Sequence, residues 1–269
     1  MGESADAVDL LVVGGGPAGY PAALRAAQLG RKVTLVDRDG IGGVCLNVGC
    51  IPSKALIEAA HAHEVLHGMS GNGQAPAVDL AAWQQRKCDI VGGLLKGVTG
   101  QLRSADVDMI SGTARFTSRG RVAVERPDGT ATFLEFRHAI VATGSRPAQI
   151  PIFPGADDRV IDSTGALALE AVPKRLVVVG AGYIGIELAT ALAKLGAEVT
   201  IVEMKDRVLP EMPTIFARPV ARRLSELGVA VHTSGTVIGL TDDGVSCQLT
   251  GTDEPTTLPA DKVLLAVGR

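Results

Sequence analysis

The chain has little of what marks several common protein classes. Aromatic residues make up only 3% of its 269 residues, and the formal net charge is −3. Neither value favours nucleic-acid binding, which draws on basic surfaces and aromatic stacking. No run of the sequence approaches the roughly 20 uncharged apolar residues that a membrane span needs. The composition therefore predicts a protein with no nucleic-acid partner and no membrane partner.

Cysteine is also scarce, with four residues in the whole chain, too few for a disulfide-rich secreted scaffold. The first ten residues, MGESADAVDL, are acidic and lack both the apolar core of a signal peptide and the Arg-rich pattern of a transit peptide. These features predict a cytoplasmic protein, and a matrix protein whose leader has been removed is the alternative. Nearby cysteines in such a chain are typically redox-active or metal-binding.

Glycine, by contrast, is abundant at 33 residues, and two segments repeat one glycine-containing pattern. They are residues 9–37 and 174–203. Each begins with a short apolar strand, turns through glycines into an Ala- and Leu-rich helix that ends at a glycine, and continues into a second strand that finishes on an acid. This order is typical of the opening of a Rossmann-type domain. We therefore predict an α/β fold with an internal duplication.

The first glycine loop, residues 14–19, reads GGGPAG and fits the G-x-G-x-x-G motif. Its first glycine permits a tight turn, its second lets the backbone approach a pyrophosphate, and its third permits close packing of helix on strand. Asp37, 23 positions after Gly14, is placed to accept hydrogen bonds from ribose hydroxyls. The motif alone is a weak signal, but strand, helix and acid together predict a dinucleotide site.

The second glycine loop, residues 180–185, reads GAGYIG, and its acid is Glu203. An acid at this position bonds a free 2′-hydroxyl and repels a 2′-phosphate, so NAD is favoured over NADP. Lys205 and Arg207 lie close by and could alter that preference, although solvated loop charges are the simpler interpretation of both. Two dinucleotide sites in one chain imply two cofactors with electron transfer between them.

The segment that indicates the chemistry is residues 42–54, GGVCLNVGCIPSK, where four residues separate Cys45 from Cys50. If the segment is helical at its start, the two cysteines lie just over one turn apart on one face, near enough for a disulfide with modest adjustment. A thiolate near a helix N-terminus suits thiol–disulfide exchange. A metal would need further ligands, and an exposed helix face better explains the nearby His61 and His63. A redox pair and no metal site are therefore predicted.

The rest of the chain is predicted to alternate helices and strands. The predicted helices are residues 46–66, 82–104 and 216–227. The predicted strands are residues 108–116, 121–126, 132–136, a buried strand in the segment HAIVATGSRP, residues 229–232 and residues 262–267, with a hairpin around Asp243 and Gly244. A Pro-rich stretch, residues 146–154, is predicted to be the crossing between two domains.

Taken together, these segments resemble the pyridine nucleotide-disulfide oxidoreductases, the class that includes dihydrolipoamide dehydrogenase, glutathione reductase and mercuric reductase. The resemblance covers essentially the whole chain, and the segment CLNVGCIPSK, the acid at Glu203 and the stretch DSTGAL at residues 162–167 look most like dihydrolipoamide dehydrogenase. Further segments that carry the resemblance are VVGGGPAGY (12–20), ATGSRP (142–147), VVVGAGYIGIELA (177–189), VEMKDRVLP (202–210) and AVGR (266–269).

The resemblance implies two Rossmann-like FAD/NAD(P)-binding domains with three-layer βα architecture: an incomplete FAD-binding domain, residues 1–147, and an NAD-binding domain, residues 148–269. It implies oxidation of protein-bound dihydrolipoamide to lipoamide with reduction of NAD, using FAD. The implied partners are lipoyl-carrying subunits of 2-oxo acid dehydrogenase or glycine-cleavage complexes, and a second copy in a full-length homodimer. The alternatives are another FAD disulfide reductase, similar to glutathione or mercuric reductase, and a non-catalytic dinucleotide-binding module.

The resemblance also implies a role for individual residues. Cys45 would be the interchange thiol and Cys50 the charge-transfer thiol, while Lys54, paired with Glu187, would lie beside the reactive edge of the flavin. Tyr183 would either gate the flavin or pack against the glycine turn. The residues implied to hold FAD are Gly14, Gly16, Pro17, Ala18, Gly19, Asp37, Gly42, Gly43, Val44, Cys45, Lys54, Ala114, Ala142, Thr143, Gly144 and Ser145. The residues implied to line the NAD site are Gly180, Gly182, Tyr183, Ile184, Gly185, Glu203, Val237 and Gly268.

The chain also departs from the family. There, the AVGR segment is followed by the last part of the FAD domain and by a dimerisation domain that supplies a His–Glu pair as catalytic base. The five histidines, at positions 61, 63, 67, 138 and 232, do not match that motif. We therefore expect a truncated chain with poor dihydrolipoamide turnover and weakened flavin affinity. Cys88 and Cys247 are expected to be buried or neutral thiols.

Overall fold

The computed structural model describes residues 6–70, 78–153 and 157–269. The chain divides into two compact units: unit 1 comprises the chain up to Pro52 together with Cys88–Ser145, and unit 2 comprises Ser53–Lys87 together with Arg146–Arg269. Residues 1–5, the first half of the acidic N-terminal segment, and Pro154, the end of the predicted crossing, lie outside the described residues. The division is geometric, so the functional domains 1–147 and 148–269 stay a prediction.

Helices and strands alternate along the chain as the sequence predicts. The helices are α1 Gly19–Gln28, α2 Gly43–Val48, α3 Cys50–Met69, α4 Leu80–Ser104, α5 Ser163–Leu167, α6 Tyr183–Lys194 and α7 Thr214–Glu226. The strands are β1 Asp6–Val13, β2 Val33–Asp37, β3 Asp108–Ser111, β4 Thr113–Ser118, β5 Arg121–Glu125, β6 Ala131–Val141, β7 Val160–Ile161, β8 Arg175–Val179, β9 Glu198–Val202, β10 Ala230–His232, β11 Thr236–Thr241, β12 Gly244–Gln248, β13 Thr256–Pro259 and β14 Lys262–Leu265. Within the described ranges, none of the helices has the length and apolar content that crossing a membrane requires.

Unit 1 is built on a six-stranded sheet in the order β3-β2-β1-β6-β5-β4. The first four of these strands run parallel, and β6, β5 and β4 continue as an antiparallel meander. Alternate residues of the central strand face opposite sides: Val12 packs in the cluster that contains residues of α1 and α4, whereas Leu11 and Val13 pack in the cluster that contains Val122 and Val124 of the meander.

Unit 2 repeats this plan with a five-stranded parallel sheet in the order β10-β9-β8-β14-β7. Leu176 and Val178 of β8 pack in the cluster that holds residues of α6 and α7. The intervening Val177 and Val179 pack against the separate antiparallel sheet β11-β12-β13. The unit therefore has three layers, helices, parallel sheet and meander, as the α/β prediction required.

The internal duplication extends to single hydrogen bonds. Gly14 donates to the carbonyl of Val36, and its counterpart Gly180 donates to that of Val202, each at 2.8 Å. Both first helices end in the same way, because the predicted terminal glycines, Gly30 and Gly196, adopt positive φ angles of 77° and 101°. A side chain disfavours this left-handed conformation, which is why glycine commonly follows the last helical residue.

Three predicted strands differ from the observed ones. The predicted strand 108–116 is two strands, because Gly112 turns the chain between β3 and β4 and donates to the carbonyl of Asp37 at 2.9 Å. The predicted strand 132–136 and the HAIV segment form the single strand β6, and the end of β6 is exposed rather than buried, with 64% of Val141 accessible. The reason is that β5 pairs with β6 only up to Glu135, so that among the described residues β1 alone pairs with the end of the strand.

The segment Ser53–Lys87 precedes the predicted domain boundary but belongs to unit 2. Leu56, Ala60 and Trp83 are buried in the same apolar cluster as Leu188 and Leu192 of α6. Burying apolar surface of this kind stabilises a fold by about 25 cal/mol per Å². The hydrophobic contacts of this segment, rather than its position in the sequence, decide which unit it joins.

A charge cluster reinforces the packing of this segment within unit 2. Glu64 of α3 accepts from Lys194, the last residue of α6, at 2.9 Å and also pairs with Arg223 of α7. Partial burial of the Glu64 carboxyl works to raise its pKa, but its hydrogen bonds and ion pairs with Lys194 and Arg223 prevail, and the pKa falls below the ordinary value of 4.5. The ionised form of Glu64 is therefore stabilised by folding.

We expect Glu64→Gln to lower the free energy of unfolding at pH 7 by about 1–2 kcal/mol, because it leaves two cations without their carboxylate. Since the pKa of Glu64 is depressed by folding, the contribution is present above pH 4.5 and is lost as the pH falls through the folded-state pKa. Urea denaturation of both proteins between pH 7 and pH 3 measures this difference. The control is Glu125→Gln, which removes an exposed ion pair with Arg115 and should change stability by less than about 0.5 kcal/mol. A difference that does not shrink as the pH falls below 4.5 would contradict the assignment.

Candidate active site

The first glycine loop lies between β1 and α1 in unit 1. Gly14 has a φ of +105°, and a Cβ at this position would collide with the carbonyl oxygen of Ala142. A Cβ at Gly19 would collide with the carbonyl oxygen of Gly14. Both positions therefore require glycine for the turn and for the packing of helix on strand, as predicted. At Gly16 the nearest atom to an added Cβ is the Cα of Gly43 at 3.7 Å, so the space beside this part of the backbone is open.

The second glycine loop has the same steric pattern in unit 2. Gly180 has a φ of +103°, and an added Cβ would lie 2.5 Å from the carbonyl oxygen of Ala266. At Gly185 it would collide with the carbonyl oxygen of Gly180, whereas at Gly182 it would meet nothing within 4 Å. In both loops the outer glycines are fixed by neighbouring backbone, and the middle glycine leaves room for a ligand to approach the main chain.

The two acids that follow the second strands hold the glycine loops directly. Asp37 accepts a hydrogen bond from the amide of Gly15 at 2.5 Å, and Glu203 accepts one from the amide of Ala181 at 2.6 Å. The other oxygen of Glu203 accepts from the amide of Lys205 at 2.7 Å, and only 8% of the residue is accessible. Binding of ribose by these acids stays a prediction. Their bonds to the loop backbone are a structural role that the sequence pattern did not reveal.

The carbonyl of the same loop residue is also held in each unit. In unit 1 the amide of Gly42 donates to the carbonyl of Gly15 at 2.8 Å, and in unit 2 the amide of Leu209 donates to the carbonyl of Ala181 at 2.9 Å. In the second residue of each glycine loop, the amide donates one hydrogen bond and the carbonyl accepts another. We call this pair of bonds the loop clamp.

In unit 1 the loop clamp leads directly into the cysteine segment. Gly42 has a φ of +96° and precedes α2, while Gly43 has a φ of +56°. A Cβ on Gly43 would lie 2.6 Å from the Cα of Gly16, so the start of α2 rests against the first glycine loop, backbone to backbone. Asn47 braces the same turn by donating to the carbonyls of Ile41 and Gly43, each at 3.0 Å. This role of Asn47 was not predicted.

The predicted continuous helix through the cysteines is wrong. Cys45, half-buried, lies in α2, and Cys50, exposed, is the first residue of α3. Gly49 separates the two helices with φ −136° and ψ −111°. Five residues of a continuous α-helix would turn by about 500° and rise by about 7.5 Å, which places the two side chains on different faces and beyond the usual Cα separation of a disulfide. The break at Gly49, which the sequence pattern did not indicate, lets the chain change direction between the cysteines.

Lys54 and Glu187 form the expected ion pair within unit 2. The Nζ atom of Lys54 lies 2.7 Å and 2.6 Å from the two carboxylate oxygens of Glu187. A bond to both oxygens fixes the ammonium group more firmly than a single contact would. The pair is confirmed, whereas the position of Lys54 beside a flavin stays a prediction.

Four further predicted site residues make backbone hydrogen bonds or pack in an apolar cluster. Ala142 donates to the carbonyl of Val13 at 2.7 Å, which places the residues after β6 at the end of β1. In unit 2 the carbonyl of Gly268 accepts from the amide of Ala148 at 3.0 Å. Val237 is buried in the apolar cluster between the parallel sheet and the meander, and Ala114 lies in β4 against the unit 1 core. Contact of these residues with a cofactor stays a prediction.

Several minor predictions need correction. Tyr183 exposes 68% of its surface and so does not pack closely against the glycine turn. Cys88 is exposed, so of the two expected alternatives, buried or neutral, the first does not hold for it. Cys247 is buried, and burial raises the pKa of its thiol to about 11. His63 is not on a fully exposed face, because its Nδ1 lies 2.9 Å from the carbonyl of Lys194.

Among the residues that the structure describes, no three His, Cys, Asp or Glu side chains are arranged to hold a metal ion.

Comparison with known proteins agrees with this geometry. Residues 8–269 match the family described as pyridine nucleotide-disulphide oxidoreductase. The chain is 47% identical over 276 residues to dihydrolipoyl dehydrogenase 2 of Haloarcula marismortui, in an alignment that covers 100% of this chain and 58% of that protein. It is 46% identical over 267 residues to dihydrolipoyl dehydrogenase of Bacillus subtilis, covering 97% of this chain and 56% of that protein. The chain thus spans a little over half the length of these curated relatives.

Solved structures give a similar result. LpdA from Mycobacterium tuberculosis superposes with a TM-score of 0.85 at 30% identity, covering 97% of this chain and 59% of that one. The Cu(II) complex of the HOCl-induced flavoprotein disulfide reductase RclA from Escherichia coli superposes with a TM-score of 0.81 at 29% identity, covering 100% of this chain and 57% of that one. The two-unit fold is therefore that of flavoprotein disulfide reductases.

We expect Gly43→Ala to lower the free energy of unfolding of the chain by about 1–3 kcal/mol, because the new methyl group meets the Gly16 backbone at a positive φ. The matched control in unit 1 is Gly97→Ala in α4, where an added Cβ meets nothing within 4 Å. Replacing a helical glycine by alanine should leave stability unchanged or raise it by up to about 1 kcal/mol. Urea denaturation compares the two variants, and equal stability would show that the close approach of α2 to the loop is not required.

Proposed function

The chain belongs to the pyridine nucleotide-disulphide oxidoreductase family, and from this we propose that its protein is a dihydrolipoyl dehydrogenase. It would oxidise protein-bound dihydrolipoamide to lipoamide and reduce NAD to NADH, using FAD and a disulfide between Cys45 and Cys50. The family uses FAD and NAD as its cofactors. Identity of 44–47% to several proteins of this name favours the assignment over more distant disulfide reductases.

The observation that carries the proposal is the placing of the cysteine pair. Cys45 lies in α2, whose first residue, Gly43, touches the backbone of Gly16 in the first glycine loop. A dinucleotide whose pyrophosphate rests on the open side of Gly16 would therefore lie next to the helix that carries Cys45. Such an arrangement suits electron transfer between a dithiol and a bound flavin.

In the proposed reaction, one thiolate of dihydrolipoamide attacks the sulfur of Cys45 and displaces the thiolate of Cys50. The second substrate thiolate then attacks the substrate sulfur that is bonded to Cys45 in the mixed disulfide and displaces the Cys45 thiolate. Lipoamide leaves, and both cysteines are reduced. The first glycine loop, residues 14–19, would hold FAD, which would supply the two-electron chemistry that links the reduced cysteine pair to NAD. Proton removal from the substrate dithiol needs a base, and we assign none of the five histidines of this chain to that task.

The two cofactors would be held by corresponding residues of the two units. The open space beside Gly16 and Gly182 supports this proposal, because a pyrophosphate needs close access to the main chain. For the second site we propose NAD rather than NADP, because the buried carboxylate of Glu203 would repel a 2′-phosphate. Lys54, fixed by Glu187, would place a positive charge at the flavin edge.

We propose lipoyl-carrying subunits of 2-oxo acid dehydrogenase or glycine-cleavage complexes as partners, and a homodimer as the state of the whole protein. Proteins named dihydrolipoyl dehydrogenase are the basis of this proposal. We also propose a cytoplasmic location, because four cysteines do not form a secreted disulfide scaffold and a transient, catalytic disulfide is the kind that cytosolic proteins use.

A second candidate is a flavoprotein disulfide reductase with another substrate. The superposition on RclA, described as a flavoprotein disulfide reductase, favours this alternative. Its lower identity, 29% against 47% for the dihydrolipoyl dehydrogenase, makes it the weaker one. Comparing dihydrolipoamide with other dithiol and disulfide substrates would separate the two.

The experiment is an absorption spectrum of the FAD-reconstituted chain before and after anaerobic addition of NADH. We expect the flavin band to bleach, and a long-wavelength absorbance to develop in the wild-type chain and in Cys88→Ser, which removes an exposed thiol outside the pair. Cys50→Ser should bleach without that absorbance. Dihydrolipoamide-dependent reduction of the flavin should fall by about two orders of magnitude or more in Cys45→Ser and Cys50→Ser.

Two outcomes would contradict the proposal. Flavin binding without bleaching by NADH would indicate a non-catalytic nucleotide-binding module. Equal dihydrolipoamide-dependent reduction in Cys45→Ser and Cys88→Ser would remove the cysteine pair from the reaction.

A further inference from the structure

The loop that follows Glu203 reaches the second glycine loop through one of its own amides. Residues 204–213 connect β9 to α7, and within them the amide of Leu209 donates to the carbonyl of Ala181 at 2.9 Å. Together with the bond from the amide of Ala181 to Glu203, this contact completes the loop clamp of unit 2. The position of the glycine loop therefore depends on the shape of residues 204–213.

The guanidinium of Arg207 bonds to this loop and to the first residue of α7. Its Nη1 donates to the hydroxyl of Thr214 at 2.7 Å, and its Nη2 donates to the carbonyls of Pro210 at 3.0 Å and Met212 at 3.4 Å. These three acceptors lie on the far side of Leu209 in the chain, so the guanidinium closes the loop around that residue. The side chain is half-buried and is not the solvated loop charge that the sequence suggested.

The need for such a support is visible in the backbone of Leu209. Its φ is +48°, a left-handed conformation that side chains rarely adopt. In unit 1 the corresponding donor is Gly42, which adopts its φ of +96° without a Cβ. The same clamp is therefore made by a glycine in unit 1 and by a leucine in unit 2, and only the leucine has to be held in this conformation by surrounding contacts.

We propose that Arg207 is a positioning residue for the second glycine loop. By closing residues 204–213, it keeps the amide of Leu209 against the carbonyl of Ala181, and so holds residues 180–185 in the form that receives NAD. This inference rests on the proposed function for the identity of the nucleotide. It also gives Arg207 a role other than contact with a 2′-phosphate, because Nη1 already donates to Thr214 of α7 and Nη2 to the loop carbonyl of Pro210.

The first test combines amide hydrogen exchange with NADH binding on the whole chain. In Arg207→Gln, exchange should quicken at Leu209 and in residues 180–185, but not in β8 and β14 of the same sheet. The affinity for NADH, measured by fluorescence titration, should fall about tenfold, as expected for the loss of one or two hydrogen bonds. Arg207→Lys should lose nearly as much NADH affinity, because a single ammonium group cannot bond acceptors spread over three residues in the way that the planar guanidinium can.

The matched control is Lys205→Gln, which removes the same charge two residues away and leaves its backbone bond to Glu203 intact. We expect its NADH affinity and its exchange pattern to match those of the wild-type chain. An equal loss of affinity in Lys205→Gln, or full affinity in Arg207→Lys, would mean that charge rather than position matters, and would overturn the proposal.

A double-mutant cycle with Leu209→Gly tests the link to the left-handed residue. Because glycine adopts this conformation unaided, as Gly42 does in unit 1, Arg207→Gln should cost less NADH affinity in the Leu209→Gly background than in the wild type. Equal losses in the two backgrounds would overturn the mechanism. Failure of the wild-type chain to bind NADH would instead contradict the proposed function, and the exchange pattern would still decide whether Arg207 holds the loop.

Discussion

In both units a carboxylate at the end of the second strand accepts a hydrogen bond from the second residue of the glycine loop. Asp37 does so for Gly15 and Glu203 for Ala181. Each bond joins a strand end to the turn that opens the first helix, and a charged acceptor makes it stronger than a neutral bond would be. The steric fit of the outer glycines and the open face of the middle glycine arise only when the turn is held in this form. The remaining features of each candidate site are arranged around this bond.

The loop clamp also shows where the two duplicated units differ. The carbonyl side of the clamp is made by Gly42 in unit 1, and the next element is the short helix of Cys45. In unit 2 it is made by Leu209, and the next element is α7. The same hydrogen bond thus attaches the cysteine segment to one glycine loop and an ordinary helix to the other. The two units share the clamp itself and differ in the helix that comes after it.

The parts that the sequence predicted well are those governed by local rules. The glycines that begin and end α1 and α6, and the acids at Asp37 and Glu203, are dictated by backbone sterics and strand–turn–helix order within about 30 residues. The membership of Ser53–Lys87 in unit 2 could not be predicted in this way, because it depends on contacts between Leu56 or Trp83 and α6, which lies more than 100 residues further along the chain. The left-handed Leu209 was also hidden, since leucine carries no signal for that conformation.

The cysteine segment shows why spacing alone misleads. Two cysteines five positions apart suggest one helical face, but five residues turn an α-helix by about 500°, or roughly 140° beyond one full turn. The break at Gly49 solves this problem, and glycine is required there because a Cβ would lie 2.9 Å from the carbonyl oxygen of Val44 and 3.2 Å from the Cα of Cys45. The chain thus passes close over Cys45 before Cys50 begins α3. A disulfide between cysteines at this spacing would need an interrupted helix, and the glycine before the second cysteine is the residue that permits the interruption.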